Sequence, residues 1–445
     1  MTHIFRVALV RGLQPFTWRT LFLVILFAAA AADVAAGTKE RREALAAALV
    51  RQDKDAIERA VAAINRHLGD KRGVPETPDK YSRNPVDAAM LTKAEAIAAM
   101  PRIAAEIAAR RWWRVGLDPT TLQHPLREPA SAIVGLLALS RAEQVISTRN
   151  TYLDAAREAG DFLLWAQAQA GTGVFPFPAA KGGVNSAAFR AQAAYLARAN
   201  SKNIASQIHN GWIIEDTGDG GLQFDNGECG VAIFALYEAT QDKKYLDAAL
   251  RSAQWAIERP LVVNWNYVSF SVRLLARAFI VTSNQLFLDS AIQKAMLGVM
   301  PGQLTDGFNI GRWADAHNAK PTYHYIMMQS LVELVAAMRI ANMDKNTNGV
   351  AIVAALRMGL HARNSDFLAP NKGANTKEAA MMALLAVNRV FDDSPDFLGA
   401  TQSREALVAL IKLVSVNLRI DAKRGVLPMA PGALGLMIEA RAVGK

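Results

Sequence analysis

The sequence predicts an all-α fold, a toroid of helical hairpins with one working face, and two observations carry that prediction. The segments Thr240 to Ala249 (TQDKKYLDAA) and Thr282 to Ala291 (TSNQLFLDSA) align without a gap, 42 residues apart, and Tyr152 to Ala156 (YLDAA) repeats their centre. Repetition at this period marks stacked two-helix units, which bury their apolar faces only against neighbours. The second observation is an alternation of connections. Every second helix follows a long loop crowded with aromatic, acidic, histidine and glycine residues, while the helices between follow short turns. In a ring, the long loops gather at one mouth, where residues distant in sequence meet.

Apolar residues recurring with the helical period place inner helices at about 129–146, 186–203, 228–240, 266–282, 322–342 and 376–391. Their partners fall at about 150–170, 243–258, 284–298, 347–363 and 402–419, and the second inner helix has no clear partner. In each repeat the aromatic is expected to pack on the preceding helix and the Asp to sit in the first turn, where the helix dipole favours negative charge. Between Gly211 and Asn226 the run WIIEDTGDGGLQFDN alternates around glycines, which predicts a short β-hairpin. Ahead of the ring, 39–68 and 86–113 read as amphipathic helices, separated by the Pro- and Gly-punctuated GDKRGVPETPDKYSRNP. The cluster Arg110-Arg111-Trp112-Trp113-Arg114 closes the second, as amphipathic side chains at a helix end that pack.

The division expected is a leader or anchor over 1–36, an N-terminal helical extension over 37–126, and the toroid over 127–445. With 51% hydrophobic and 20% charged residues, the chain suits close-packed helices and not wholesale disorder. Thr20 to Ala32 (TLFLVILFAAAAA) is short and apolar, follows Arg6, Arg11 and Arg19, and leads into Val34-Ala35-Ala36. That pattern is a secretory signal with a small-residue cleavage site, the alternative being an uncleaved membrane anchor. The expected location is therefore the periplasm or the outside of the cell, with membrane association if the segment is retained. Cys229, the single cysteine, excludes an intrachain disulfide and a multi-cysteine metal site, and is expected as a small buried apolar group. The net charge of +10 comes from scattered residues, which suits anionic glycans or a membrane surface and not nucleic acid.

Three segments carry a resemblance: LYEATQDKKYLDAA (Leu236 to Ala249), GTGVFPFP (Gly171 to Pro178) and DNGECG (Asp225 to Gly230), the last opening a helix. With the hairpins and loop alternation, the chain resembles the (α/α)6-toroid carbohydrate-active enzymes over about Glu128 to Ile420. That group includes six-hairpin glycosidases, pectate-lyase-like and heparinase-like lyases, and sugar epimerases. The resemblance implies a glycan substrate; no cofactor is expected, with a calcium ion among the loop carboxylates left open by their spacing. No family's complete catalytic pattern is matched, so no catalytic residue is carried over.

The loops themselves supply candidates. The third holds Asp216, Asp219, Asp225 and Glu228. Two-carboxyl glycosidic cleavage needs one group to protonate the leaving oxygen and another to activate water or attack the sugar. The competing reading makes Asp225 the N-cap and Glu228 the N3 member of a capping box, and Asp219 a turn residue. The fifth loop, DGFNIGRWADAHNAKPTYHY, is the densest. In it Arg312 suits a uronate carboxylate, Trp313 a sugar face, and Asp315 or His317 proton transfer, with Tyr323 and His324 as further contacts. Trp265 and Tyr267 enter the fourth inner helix and Phe175 the second, where aromatic faces suit sugars. His124, Arg127 and Lys181 border the same mouth as structural or solvated groups. The catalytic set expected is Asp225, Asp315, His317 and Asp216, with Asp225 and Asp315 as the hydrolytic pair. In β-elimination, Arg312 would neutralise a uronate and His317 or Tyr323 would take its C5 proton. A non-catalytic glycan-binding envelope protein is the reading from another class. No phosphate loop, dinucleotide fingerprint, serine elbow, EF-hand or helix-borne zinc His pair is present in the sequence, and no metal is assigned.

Cleavage near Ala36 predicts that the intact mass of the exported protein lacks the first 36 residues. Membrane-associated material that keeps Met1 would instead establish the anchor.

Overall fold

The structure, a computed structural model, describes residues 40–68, 88–178 except 120 and 123, 208–215, 220–313 except 308, 320–368, 377–392, 398–421 and 425–443. The apolar leader and the helix expected at 186–203 lie outside the described residues. Among the described residues, three helices precede the first inner one: α1 (40–51), α2 (Lys54–Leu68) and α3 (Lys93–Ala109). The expected single helix over 39–68 is broken where Gln52 takes a left-handed φ of 53° and the Asp53 carboxylate caps the next helix by accepting from Ala56 N–H at 3.0 Å. Helix α3 starts on a complete capping box, Thr92 with Glu95.

Six inner helices make the wall of the ring: α4 (Arg127–Ala142), α6 (Gly221–Thr240), α8 (Trp265–Thr282), α10 (Pro321–Ile340), α12 (Lys377–Phe391) and α14 (Pro431–Val443). Each packs on the next, and α14 returns to α4, so the wall is closed. Outside them α5 (Ile146–Ala170), α7 (Lys243–Glu258), α9 (Gln285–Gly298), α11 (Thr347–Leu368) and α13 (Leu398–Asp421) pack on α4, α6, α8, α10 and α12 in turn. The outer helix against α14 is α3, which also touches α4. The described residues thus form an (α/α)6 toroid. Its sixth inner helix is α14, which the sequence reading passed over because its run of Gly, Ala and Leu is apolar all round and shows no face. Arg441 and Arg419 fasten the approach to α3: Arg441 donates to Leu91 O at 2.9–3.0 Å and Arg419 to Ala89 O at 2.9 Å.

The sequence repeat has a local cause. At the end of α6, Thr240 Oγ1 donates back to Leu236 O and accepts from Asp242 N–H, Gln241 turns left-handed at φ 58°, and Asp242 caps α7 by accepting from Lys244 N–H. The end of α8 repeats each step with Thr282, Ser283 at φ 56°, and Asn284 accepting from Leu286 N–H. These are tight αα-hairpin turns, whose stop and restart signals satisfy the orphan backbone groups of both helices. Tyr152, Tyr245 and Phe287, the aromatics of the repeat, are buried, and the Tyr245 hydroxyl donates to Asp161 on α5 at 2.8 Å. Asp247 and Asp289 lie beyond the first turn, so the first-turn position expected of them is not taken; the N-caps are Asp242 and Asn284.

A three-stranded sheet ordered β1-β3-β2 lies between α5 and α6, with β1 at Phe177–Pro178, β2 at Ile208–His209 and β3 at Trp212–Ile213. Its hairpin turns at Asn210 and Gly211, with φ of 48° and 79°, the pair of left-handed residues that an Asn-Gly type I′ turn needs. The hairpin therefore precedes the expected site, and residues from Gly221 onward are helical.

Closure of the wall depends on backbone approach. A Cβ on Gly435 would lie 2.6 Å from the Cα and carbonyl oxygen of Gly135, and one on Gly135 would lie 2.5 Å from Pro431 O. Both obstacles are backbone and cannot step aside. Gly435→Ala is expected to cost about 1–3 kcal/mol by overpacking, seen as an earlier denaturant midpoint. An unchanged midpoint would mean that α4 and α14 can part freely.

Candidate active site at the ring mouth

The inner helices begin on one face of the ring, the face reached by the long connections, while the short turns 143–145, 241–242 and 283–284 occupy the other. At this mouth Asp225 lies in the second turn of α6 and is 4% exposed. Because α6 begins at Gly221, the expected capping box is absent: Asp225 is inside the helix, its side chain buried and facing Arg127 of α4. Arg127, the first residue of α4, brings Nε to 3.2 Å from Asp225 Oδ1. The Arg127 guanidinium lies 4.0 Å over the Phe224 ring. Phe224 stacks in turn on Phe270 of α8, centroids 4.2 Å apart and planes 19° apart, and Tyr267 lies 6.4 Å from it.

Burial raises the Asp225 carboxyl above the usual aspartate range; Arg127 opposes that rise and Glu228 adds to it. Glu228, three residues further along α6, accepts from Arg273 Nη1 of α8 at 2.9 Å. Deeper along the same wall, Arg277 pairs with Glu238, and Glu333 of α10 accepts from Arg389 of α12 at 3.0 Å. Burial works against ionisation of Glu333, yet Arg389, Arg273 and Arg277 together hold its carboxyl below the ordinary glutamate range. Among the described residues the mouth thus carries a carboxyl raised by burial, Asp225, above a series of paired charges. Cys229, one residue from Glu228, is buried as expected, and burial pushes its thiol well up, so it is inert as a nucleophile.

The other expected site residues divide into three groups. Asp216, Asp219, Asp315, His317 and Lys181 lie outside the described residues. Tyr267 is half-buried at the mouth beside Phe224; Arg312 and Tyr323 are also half-buried, Tyr323 beneath the Lys320 ammonium at 5.5 Å. The remaining four are core residues. Phe175 is fully buried, its N–H donating to Asn226 Oδ1 at 3.0 Å. Trp265 is buried against Gly302, where no Cβ would fit beside its indole. Trp313 is fully buried and donates from Nε1 to Val299 O at 2.8 Å. His324, also fully buried, accepts at Nδ1 from Arg363 Nε at 2.5 Å, which puts its hydrogen on Nε2, 3.2 Å from Trp313 O. Phe175, Trp265 and Trp313 therefore offer no face to a sugar and His324 no free nitrogen, because each completes the packing under a loop instead of crowning it.

Phe224, Arg127 and Arg273 were not assigned site roles from sequence. Starting the helix at Gly221 would have shown Phe224 and Glu228 on one face, four residues apart. Among the described residues no group of three or more His, Cys, Asp or Glu side chains is placed to hold a metal, and no helix is long and apolar enough to cross a membrane. Nearby, Trp112 stacks on His124 at 5.0 Å and donates to Glu128 at 2.7 Å, while Trp113 is buried, so that cluster packs the approach to α4 as expected.

No family model matches the chain, and no curated protein does. Among solved structures it is similar to a polysaccharide lyase at 11% identity and a TM-score of 0.48, covering 79% of this chain and 96% of that one. It is similar to a family 88 glycosyl hydrolase from Bacteroides vulgatus at 9% identity and 0.45, covering 79% and 98%. An unsaturated glucuronyl hydrolase from Streptococcus agalactiae is similar at 10% identity and 0.47, covering 83% and 96%. No residue's role is transferred from them.

Asp225 makes a prediction that needs no substrate. With its folded pKa above its unfolded value, its protonated form stabilises the fold at acid pH, and that contribution is lost as pH rises through the folded value. Asp225→Asn carries no such burden, so it should melt higher than the wild type at pH 7, the gap closing on acidification. A gap independent of pH would mean that Asp225 does not titrate in the folded range.

Proposed function

We propose that this protein is an exported enzyme that cleaves glycosidic linkages of a polysaccharide or oligosaccharide by hydrolysis. The observation that carries this reading is the buried Asp225 carboxyl, raised by desolvation, at the end of the ring where the long connections gather. A general acid for glycoside cleavage must hold its proton near neutral pH until the leaving oxygen receives it, and burial is the usual means. Half-buried Tyr267 and Phe224 beside it provide apolar surface of the kind that sugar faces contact.

Hydrolysis requires a second carboxyl for water or for attack on the sugar. The reading assigns this to Asp315, between Trp313 and the start of α10 in sequence. Glu228 is excluded from that role here because its carboxylate is already committed to Arg273. Export rests on the Arg-flanked apolar run before Gly37.

The test is a panel of neutral and uronic glycans incubated with the mature protein, followed by reducing ends and by the absorbance of unsaturated products. New reducing ends without unsaturation are expected. On a competent glycan Asp225→Asn and Asp315→Asn should each lower turnover on the order of a hundredfold or more while circular dichroism stays unchanged. Unsaturated product would replace hydrolysis by β-elimination. Full activity in both folded variants would remove the carboxylate mechanism.

A further inference from the structure

A cation at the first position of a helix is in the wrong place: the N-terminal end of the dipole repels it, and water is close by. Arg127 occupies that position in α4, with a third of its side chain exposed, yet its guanidinium turns inward onto Phe224 and Asp225. A contact with one carboxylate oxygen at 3.2 Å, which lacks hydrogen-bond geometry, is a weak tether for so mobile a side chain. The cation–π contact is the stronger constraint. Phe224 presents its face at 4.0 Å, and Phe270 fixes that ring from behind at 4.2 Å, with Tyr267 at its side. Phe224 and Asp225 are consecutive in α6, so one stretch of backbone fixes both the platform and the carboxyl.

We propose that Phe224 is a positioning residue: by holding the Arg127 guanidinium over its ring at the mouth, it keeps a counter-charge on Asp225 and so sets the pH range over which Asp225 holds its proton. This rests on the reading of Asp225 as the acid. Among the described residues, the charged groups acting on Asp225 are Arg127 from α4 and Glu228 from its own helix, with Arg273 from α8 acting through its pair with Glu228. Cys229 of the same helix is neutral. Arg127 is the one cation among them that faces Asp225 directly, and its aromatic platform is the part that can be removed without changing any charge.

The experiment follows the Asp225 carboxyl resonance through a pH titration of full-length protein labelled with 13C at aspartate carboxyls, Asp225→Asn identifying the signal. Phe224→Leu is expected to move the midpoint to higher pH, because the freed guanidinium leaves for water. Phe224→Tyr, which keeps the ring, should restore it. Arg127→Met should move the midpoint upward at least as far, and Phe224→Leu added to Arg127→Met should move it no further, as two changes on one interaction are not additive. If Phe224→Leu does not fold, Phe224→Met, which retains volume without an aromatic face, makes the same comparison. A midpoint unmoved by loss of the ring, or one that moves equally without Arg127, overturns the proposal. Since no substrate is involved, a shifted midpoint in a protein whose Asp225→Asn variant is fully active on glycans would keep the positioning role and remove the acid role.

Discussion

Closure of the inner wall is the constraint on which the rest depends. Once α14 returns to α4, each inner helix has two inner neighbours and an outer one, and only the side toward the ring axis escapes burial against other helices. A helix so placed must be apolar nearly all round, as α6 and α10 are, and its packing depends on backbones that approach closely. The contact of Gly135 with Gly435 is the extreme case, because there main chain meets main chain with no side chain between. With the flanks occupied, polar and charged residues of the inner helices are confined to the axis and the ends. The pairs Arg127–Asp225, Arg273–Glu228, Arg277–Glu238 and Arg389–Glu333 each join neighbouring inner helices. Their contribution to stability is modest, since desolvation offsets much of the attraction. They match α4 to α6, α6 to α8 and α10 to α12, and Arg141–Glu439 does the same between α4 and α14.

The loops are held by a second set of buried groups, side-chain amides that stand in for backbone partners. Gln167 donates to Gly173 O and Ala248 O, Asn226 joins Phe175 N–H to Ser252 O, and Gln303 donates to Gly311 O and Ala355 O. Each ties a long connection to an outer helix. The cost of a buried, unpaired carbonyl, about 1–3 kcal/mol, makes such amides difficult to replace. His324 with Arg363 performs the same service beneath Trp313. This accounts for aromatic residues that looked like a sugar-binding surface in the sequence being core: a long loop over a ring needs its own small core, and Phe175, Trp265 and Trp313 supply it.

The fold was legible because its determinants are local. The Thr-x-Asx turn that ends α6 and α8 is written twice in the sequence, and the 3.6-residue period of the outer helices follows from their single buried face. Inner helices were harder, since a helix buried all round has no face: α14 went unread, and α6 was begun at 228 where the structure begins it at Gly221. That seven-residue difference moved Asp225 from a solvated cap to a buried wall position. The site was legible in residue type and in the face of the ring, and much less in contacts. Asp225 could be picked out by its company in the sequence, but Arg127 lies 98 residues earlier and meets it only because α4 and α6 are neighbours. Phe224 as a platform required knowing that Phe270 backs it from α8.

The state of Asp225 follows from a contest whose sides differ in reach. Burying a carboxylate costs several kcal/mol even after the surroundings relax. Against this stand the positive end of the α6 dipole, worth about 0.3–1 kcal/mol near a surface, and a single off-axis guanidinium. Burial therefore outweighs them, and the carboxyl is raised above the usual aspartate range. The opposing forces are close to the mouth, however, while the desolvation comes from the burial of Asp225 in the inner wall. A molecule that covers the mouth excludes water and strengthens the first side, whereas one that recruits Arg127 weakens the second. Both changes move the Asp225 carboxyl further up. The closed wall that buries Asp225 is thus the same feature that raises its carboxyl, and the proposed acid role depends on that closure.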